Sequence, residues 1–486
     1  MTRSALAAST VLAAALLGGC ATGPKYQRPA LDLPAAYRQA ASAPPRPPAV
    51  ESLGDLGWWQ VLRDPQLQVL LTEALTHGWD VKIAAARVLQ AEAAARLARA
   101  QYYPTVSAAG DLVTQRASER GPTTIPPGIN PQKEYGELYV AMPAYELDLW
   151  GRIRSANEAA RAQLLATEAA RQTVRATLVA QVATAYLQLL ELDYELEIAQ
   201  QTLGASTNSF ALTVAREEGG VASMQDVHQA KILVATAEAA IADTHRRIEQ
   251  QEHELCVLLG RNPGPITRGQ GLLRQDLDIT VPPGLPSSLL DRRPDLRTAE
   301  QNLVAANADI GQAKAAFFPA ITLTGLYGYQ TVALSDLFSA PARTWQFGPS
   351  VSVPIFTGGA LRGNLKLARA RFDEALAQYQ KTVQNALREV SDSLVAYQRS
   401  RELRARQEER TAAHRGAADL ANTRYEGGVT SYLEVLYNEQ ELFSAELSLA
   451  QARLNELLSV ISLYRALGGG WQDPATTASV QAAGHP

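Results

Sequence analysis

Cysteine is nearly missing from this chain: Cys20 and Cys256 are the only two in 486 residues, so no disulfide framework holds the fold together. A charge excess of either sign is missing too. Lys and Arg number 45 against 49 Asp and Glu, a formal charge of −4, which supplies neither a basic patch for nucleic acid nor an acidic tail for a basic partner. The sequence contains no Gly-x-Ser-x-Gly elbow, no phosphate-binding glycine loop and no His-Glu-x-x-His pattern, so neither an enzyme nor a bound cofactor is expected. The best candidate for chemistry is His245, Glu249 and His253, which steps of four place on one helix face where Zn²⁺ could be ligated. A solvated polar face explains the same three residues without an enclosing pocket, and no metal is expected.

What is present begins with a leader. Arg3 supplies a positive start and Ala5 to Leu17 an apolar stretch too short to span a bilayer, as in a secretory signal. Leu17-Gly18-Gly19-Cys20 then resembles a bacterial lipobox, in which the chain is cut before a cysteine that becomes acylated. That resemblance implies three acyl chains on Cys20 and effectively permanent anchoring. Ala21 stands where lipoproteins retained at the inner membrane have Asp, so the outer membrane is the expected destination, with the polypeptide facing the periplasm. Cys256 is left without a partner, and its apolar setting of Leu255, Val257 and Leu258 suits a small buried hydrophobe.

Pro24, Pro29, Pro34, Pro44, Pro45, Pro47 and Pro48 follow Cys20 and favour an extended, poorly packed tether. Beyond it one unit is written twice. Ala98 to Pro104 matches Ala313 to Pro319, Glu218-Gly-Gly-Val221 matches Glu426-Gly-Gly-Val429, and Leu259-Gly260 matches Leu467-Gly468, at an offset of about 208 residues that rises to about 215 at the first match. The surplus belongs between Pro104 and Trp150, at an exposed loop from Gln115 to Glu134.

Proline is absent from two stretches of about 119 residues, Ala144 to Asn262 and Ile355 to Asp473, which points to long helices. Val383, Leu387, Val390, Leu394 and Tyr397 step by four and three, as do Leu447, Ala450, Leu454, Leu457 and Ile461, in the manner of a coiled-coil seam. Gly219-Gly220 and Gly427-Gly428 break each stretch into a longer and a shorter arm. A longer arm of about 67 residues would measure roughly 100 Å at 1.5 Å per residue. The mixed charges from Arg399 to Arg410 read as a solvated face.

The segments before each long arm alternate instead. Ile321, Leu323, Tyr327 and Tyr329, then Trp345, Phe347, Val351 and Val353, occupy one parity with polar residues on the other. In the first half Val106, Ala108 and Leu112 alternate with Ser107 and Asp111, and Tyr139, Tyr145, Leu147 and Leu149 share a parity. Each repeat thus supplies one hairpin of strands about 12 residues long, enough to cross a hydrocarbon layer, with the corner of a soluble sandwich as the alternative. Pro349 and Pro354 belong at an edge or an end. A membrane sheet cannot leave an edge unpaired and four strands cannot close a barrel, so the chain must oligomerise.

The expected division is a signal peptide over 1–19, a lipidated tether over 20–60, a first repeat over 61–265 with its hairpin at 104–150, a linker over 266–287, a second repeat over 288–470 with its hairpin at 319–357, and a tail over 471–486. The expected fold class is mostly α with a membrane β-barrel part.

Trp58-Trp59 with Asp64-Pro65-Gln66-Leu67, Arg292-Arg293-Pro294-Asp295, Ala305 to Gly311, Phe318 to Ile321 and Val353 to Gly359 resemble the TolC/OprM-type outer-membrane factors, closest to their lipidated efflux subunits, over essentially the whole chain after Cys20. The resemblance implies a homotrimer with a 12-stranded barrel and a 12-helix periplasmic tunnel. It also implies a periplasmic adaptor and an inner-membrane efflux transporter of RND type as partners, with small molecules as cargo. Matched from Tyr425-Glu-Gly-Gly-Val429, it places Leu433 on an apolar ring and Glu434 on an acidic ring where the tunnel narrows. Tyr437 stands where a second acidic residue occurs, Tyr425 and Asp226 match members of the network that holds the closed state, and Thr430 replaces an arginine, leaving a charged latch in doubt. Ordinary coiled-coil seam remains the alternative for Leu433 and Tyr437. A protein-secretion duct and a non-conducting coiled-coil lipoprotein are the rival functions.

Overall fold

Proline and glycine positions set the frame of the computed structural model, which describes residues 22–34, 37, 53–122, 125–126, 128–277 and 286–472. The leader, Cys20 and the tail beyond residue 472 lie outside these. Seven longer helices and four strands follow in the order α1 (Pro65–His77), α2 (Trp79–Ala100), β1 (Ser107–Arg116), β2 (Gln132–Glu146), α3 (Arg152–Glu218), α4 (Met224–Leu259), α5 (Pro294–Ala315), β3 (Ala320–Thr331), β4 (Arg343–Ser352), α6 (Ala360–Glu426) and α7 (Tyr432–Ala466). Helices α3 and α6 each run 67 residues without a proline. No helix among the described residues is long and apolar enough to cross a membrane.

The chain divides into two compact units. The first takes residues 1–29, 89–166 and 299–378 and carries the strands; the second takes 30–88, 167–298 and 379–486. In the first, the sheet order is β1-β2-β3-β4 and every pairing is antiparallel. β2 has 15 residues against 10 in β4, so the surplus of the first repeat lies partly in the strand and not only in its loop.

The register corrects the parity expected for β2. Val140 lies opposite Ala108 and Tyr327, so Leu138 and Val140 share a face with Leu112, Tyr327 and Tyr329. Tyr139 is on the other face, opposite Ala109 and Gly328. A register shift between Met142 and Tyr145 then reverses the parity and brings Tyr145 opposite Leu323, on the apolar face. Pro143 sits at that shift, where its missing N–H leaves no gap in the ladder. Gly328 is required beside Tyr139, because a Cβ there would fall 2.6 Å from that residue's Cβ. Trp345, Phe347 and Val351 stand exposed on the apolar face of β4, Pro349 falls within this edge strand, and Val353 lies beyond its end.

Residues 22–34 of the expected tether are extended, as Pro24 and Pro29 favour, but Thr22 to Arg28 are held to the fold, while Pro44, Pro45, Pro47 and Pro48 lie outside the described residues. Thr22 donates from its N and Oγ1 to the Trp150 carbonyl at 3.5 and 3.1 Å, and Asn307 Nδ2 donates to the Pro24 carbonyl at 2.9 Å. Arg28 grips Glu300 through two bonds of 2.7 and 2.6 Å. An extended segment has no internal hydrogen bonds, so the backbone groups of Thr22 and Pro24 are served by Trp150 and by Asn307 of α5. The tether expected up to residue 60 also gives way earlier, since Leu53 and Trp58 are buried.

In the second unit Asp64 caps α1 by accepting from Gln66 N and Leu67 N, and it also accepts from the Tyr186 hydroxyl at 3.2 Å and Gln275 Nε2 at 2.6 Å. The Asp-Pro-Gln-Leu motif is thus a helix start that also joins distant segments. Val383, Val390, Leu454, Leu457 and Ile461 are buried along the expected seam. Cys256 is buried, its thiol donating to the Gly264 carbonyl. The run from Arg399 to Arg410 is only partly a solvated face. Arg404 turns inward to Glu456 at 2.8 Å, and Arg453 meets the same carboxylate at 2.6 Å.

Candidate functional site

Two turns, one in each repeat, carry the residues singled out for an aperture, and their backbones are built alike. In the first, Gly219, Gly220 and Val221 donate to the carbonyls of Ala215, Glu217 and Arg216 at 3.1, 2.8 and 2.8 Å. In the second, Gly427, Gly428 and Val429 donate to Thr423, Tyr425 and Arg424 at 3.1, 2.9 and 2.9 Å. Gly220 and Gly428 have φ of +73° and +72°, the left-handed conformation that ends a helix without a Cβ penalty. The repeat offset aligns Arg216 with Arg424, Ala222 with Thr430 and Asp226 with Glu434.

The side chains diverge on this shared frame. Asp226 turns back on Ser223, accepting from its N at 3.0 Å and its Oγ at 2.8 Å, while Ser223 Oγ accepts from Asp226 N, a reciprocal cap at the start of α4. Glu434 makes no such cap on Ser431. It accepts from the Thr430 hydroxyl and pairs with Arg424 at 3.4 Å. Thr430 therefore does not leave this turn without a charged contact: the cation comes from Arg424 at the end of α6, and Thr430 adds a hydrogen bond to the same carboxylate.

Arg216 reaches from the end of α3 to the second turn, where its two terminal nitrogens donate to the carbonyls of Tyr425 and Glu426 at 2.7 and 2.8 Å. Its guanidinium lies 4.4 Å from the centroid of the Tyr425 ring. These carbonyls belong to the last turn of α6, where a cation is favoured by the helix dipole. Tyr425 packs edge-on against Tyr432 with centroids 5.4 Å apart, and both are buried with Ala230, Ala421 and Val435. Tyr425 thus sits at the junction of the two turns, while Asp226 serves its own helix start.

Leu433 and Tyr437 are 57% and 62% exposed in the single chain, whereas Val435 between them is buried. They do not belong to the seam the chain makes with itself. Val221 and Val429, at the tips of the turns, are more exposed still. Arg216 and Arg424 escaped the sequence reading, although an arginine at the same place in both repeats was the available signal. His245, Glu249 and His253 are exposed on α4, and no group of metal-ligating side chains occurs among the described residues.

Comparison with known proteins places the whole architecture. The outer membrane efflux protein family model matches residues 70–261 and 285–469, one match for each repeat. The probable efflux pump outer membrane protein TtgC of Pseudomonas putida is 38% identical over 483 residues, 99% of each chain. Outer membrane protein OprJ of Pseudomonas aeruginosa is 36% identical, with 97% of this chain and 98% of that protein covered. The open-state crystal structure of the MtrE outer membrane channel of Neisseria gonorrhoeae superposes with a TM-score of 0.83 at 30% identity, over 93% of this chain and 99% of that one. With two helix-and-hairpin repeats, matched turns and relatives along its full length, the chain belongs to the outer membrane efflux protein family.

Proposed function

We propose that the protein is the outer-membrane exit duct of a tripartite efflux pump and works as a homotrimer. The observation that carries this reading is the four-stranded sheet: β1 and β4 have no further partner among the described residues, and one face is a row of exposed apolar side chains that includes Leu112, Val140, Trp345, Phe347 and Val351. Hydrocarbon offers nothing to hydrogen-bond a bare edge, so such a sheet is stable in a membrane only when copies close it. Three copies give twelve strands. Acyl chains on Cys20 would add a second hold on the same membrane. A periplasmic adaptor and an RND-type inner-membrane transporter would deliver small molecules to the inner end, where Val221 and Val429 offer apolar contact.

In this reading Leu433 and Tyr437 line the aperture, Glu434 contributes a carboxylate held by Arg424, and Tyr425 and Asp226 brace the turns. Conductance of the purified protein in a planar bilayer, with its heat-resistant oligomer checked on a gel, tests the duct. Leu433→Ala should enlarge the resting conductance, and Glu434→Gln should lower cation selectivity. An intact oligomer that conducts nothing under any condition would leave only a structural lipoprotein.

A further inference from the structure

Beneath the second turn lies a carboxyl in a place that suits a carboxylate badly. Glu439 stands two helical turns beyond Tyr432 on the same face of α7. Asn422 of α6 donates its amide Nδ2 to Glu439 Oε1 at 3.2 Å, and Ser209 of α3 lies beside the same carboxyl. The other oxygen, Oε2, is buried and receives no hydrogen bond, and the Tyr432 hydroxyl is buried without a partner as well. A buried anion with one oxygen unserved is unfavourable, and the neutral acid costs far less even with its Oε2 proton unpaired.

The charged groups around this seam do not relieve it. From α3, Arg216 is committed to the Tyr425 ring and the carbonyls of Tyr425 and Glu426. From α6, Arg424 pairs with Glu434, Arg410 with Glu441 and Arg415 with Glu446, the three acids lying on α7 itself. From α4, Asp226 caps Ser223 and Lys231 is exposed. The hydroxyls of Tyr425 and Tyr432 also belong to this seam, the latter pushed up by burial. Burial raises the Glu439 carboxyl above the ordinary carboxylate range, and the Asn422 amide and Ser209 hydroxyl offset only part of that.

We propose that Glu439 is a proton-operated latch beneath the turns: its carboxyl is neutral while α3, α6 and α7 pack around it, and it releases its proton to water when they part. The latch rests on the duct reading and adds a regulator to it. The packed form holds the proton to a higher pH than the parted form does. Packing is therefore unpenalised in acid and loses stability as pH rises through the raised value, because only parted helices let the carboxylate reach water. Acid tightens the inner end and base loosens it.

The test is resting conductance of the full-length trimer in planar bilayers across about pH 5 to pH 8, a window that opens just above the ordinary glutamate value. The wild-type protein should conduct several-fold more at the alkaline end. Glu439→Gln, a neutral side chain of the same shape, should conduct at the low acid level throughout, while Glu434→Gln should keep the rise. A flat wild-type profile, or a Glu439→Gln trimer that keeps the wild-type rise, overturns the latch. If Glu439→Gln fails to assemble, the wild-type titration and Glu434→Gln still decide: a rise that disappears in Glu434→Gln moves the titration to that residue. Absence of conductance in every variant and at every pH would instead overturn the duct on which the latch rests.

Discussion

The two turns of this chain share a backbone and divide the work between them. The first ends in a closed cap, Asp226 on Ser223, that serves only the start of α4. The second has no such cap, because the Thr430 hydroxyl and the Arg424 guanidinium take the carboxylate that would have formed it. At the first turn neither competitor is available: Ala222 has no hydroxyl, and Arg216 is occupied with the carbonyls of Tyr425 and Glu426. Duplication thus preserved the turn while side chains at three equivalent positions made one end a plain helix start and the other a junction. The apolar cluster of Tyr425, Tyr432 and Val435 gathers at the second turn.

Removing the aligned arginines one at a time should separate the two turns most strongly. Arg216→Ala should cost about 2 to 3 kcal/mol of protection at the second turn, since it removes two charge-assisted hydrogen bonds and the contact with Tyr425. Arg424→Ala should cost less than about 1 kcal/mol, because its ion pair with Glu434 is substantially exposed. Hydrogen exchange at the amides of Val221 and Val429, which make equivalent bonds in the two turns, reads both effects. Equal losses would mean that Arg216 does not bridge the turns.

A smaller and symmetrical effect is expected from the glycines. Gly220→Ala and Gly428→Ala should each cost about 1 to 2 kcal/mol by the same measurement, because open space surrounds both and the penalty is the left-handed backbone alone. A clear inequality would show that the backbones differ after all. The smallest contrast lies at the caps. Ser223→Ala should cost about 1 kcal/mol, while Ser431→Ala, which makes no side-chain cap bond, should stay within about 0.5 kcal/mol. Comparable losses at the two serines would restore a cap to the second turn.

Much of the architecture was legible because its signals are local. Proline-free stretches closed by glycine pairs led to α3 and α6, and the alternation from Ile321 to Val351 led to β3 and β4. Tyr139 misled because parity carries along a strand only until a bulge, and the shift beside Pro143 is defined by what β3 does opposite it. The start of the proline-rich stretch, from Thr22 to Arg28, misled in another way. Its extended conformation was readable, but its attachment to Trp150, Asn307 and Glu300 depends on groups more than a hundred residues away.

At the candidate site the same boundary recurs. Gly-Gly at two matching places specifies two turns, since no other residue type accepts that backbone as readily. The partners of Arg216, Glu434 and Glu439 were not specified that way, because each side chain had several acceptors or donors within reach along its own helix. The repeat, the long helices, the strands, the turns and the need for more than one copy follow from periodicity and backbone chemistry within short stretches of sequence. Which turn became a cap and which a junction was settled by packing, because that choice depends on which long side chains meet once helices distant in sequence lie side by side.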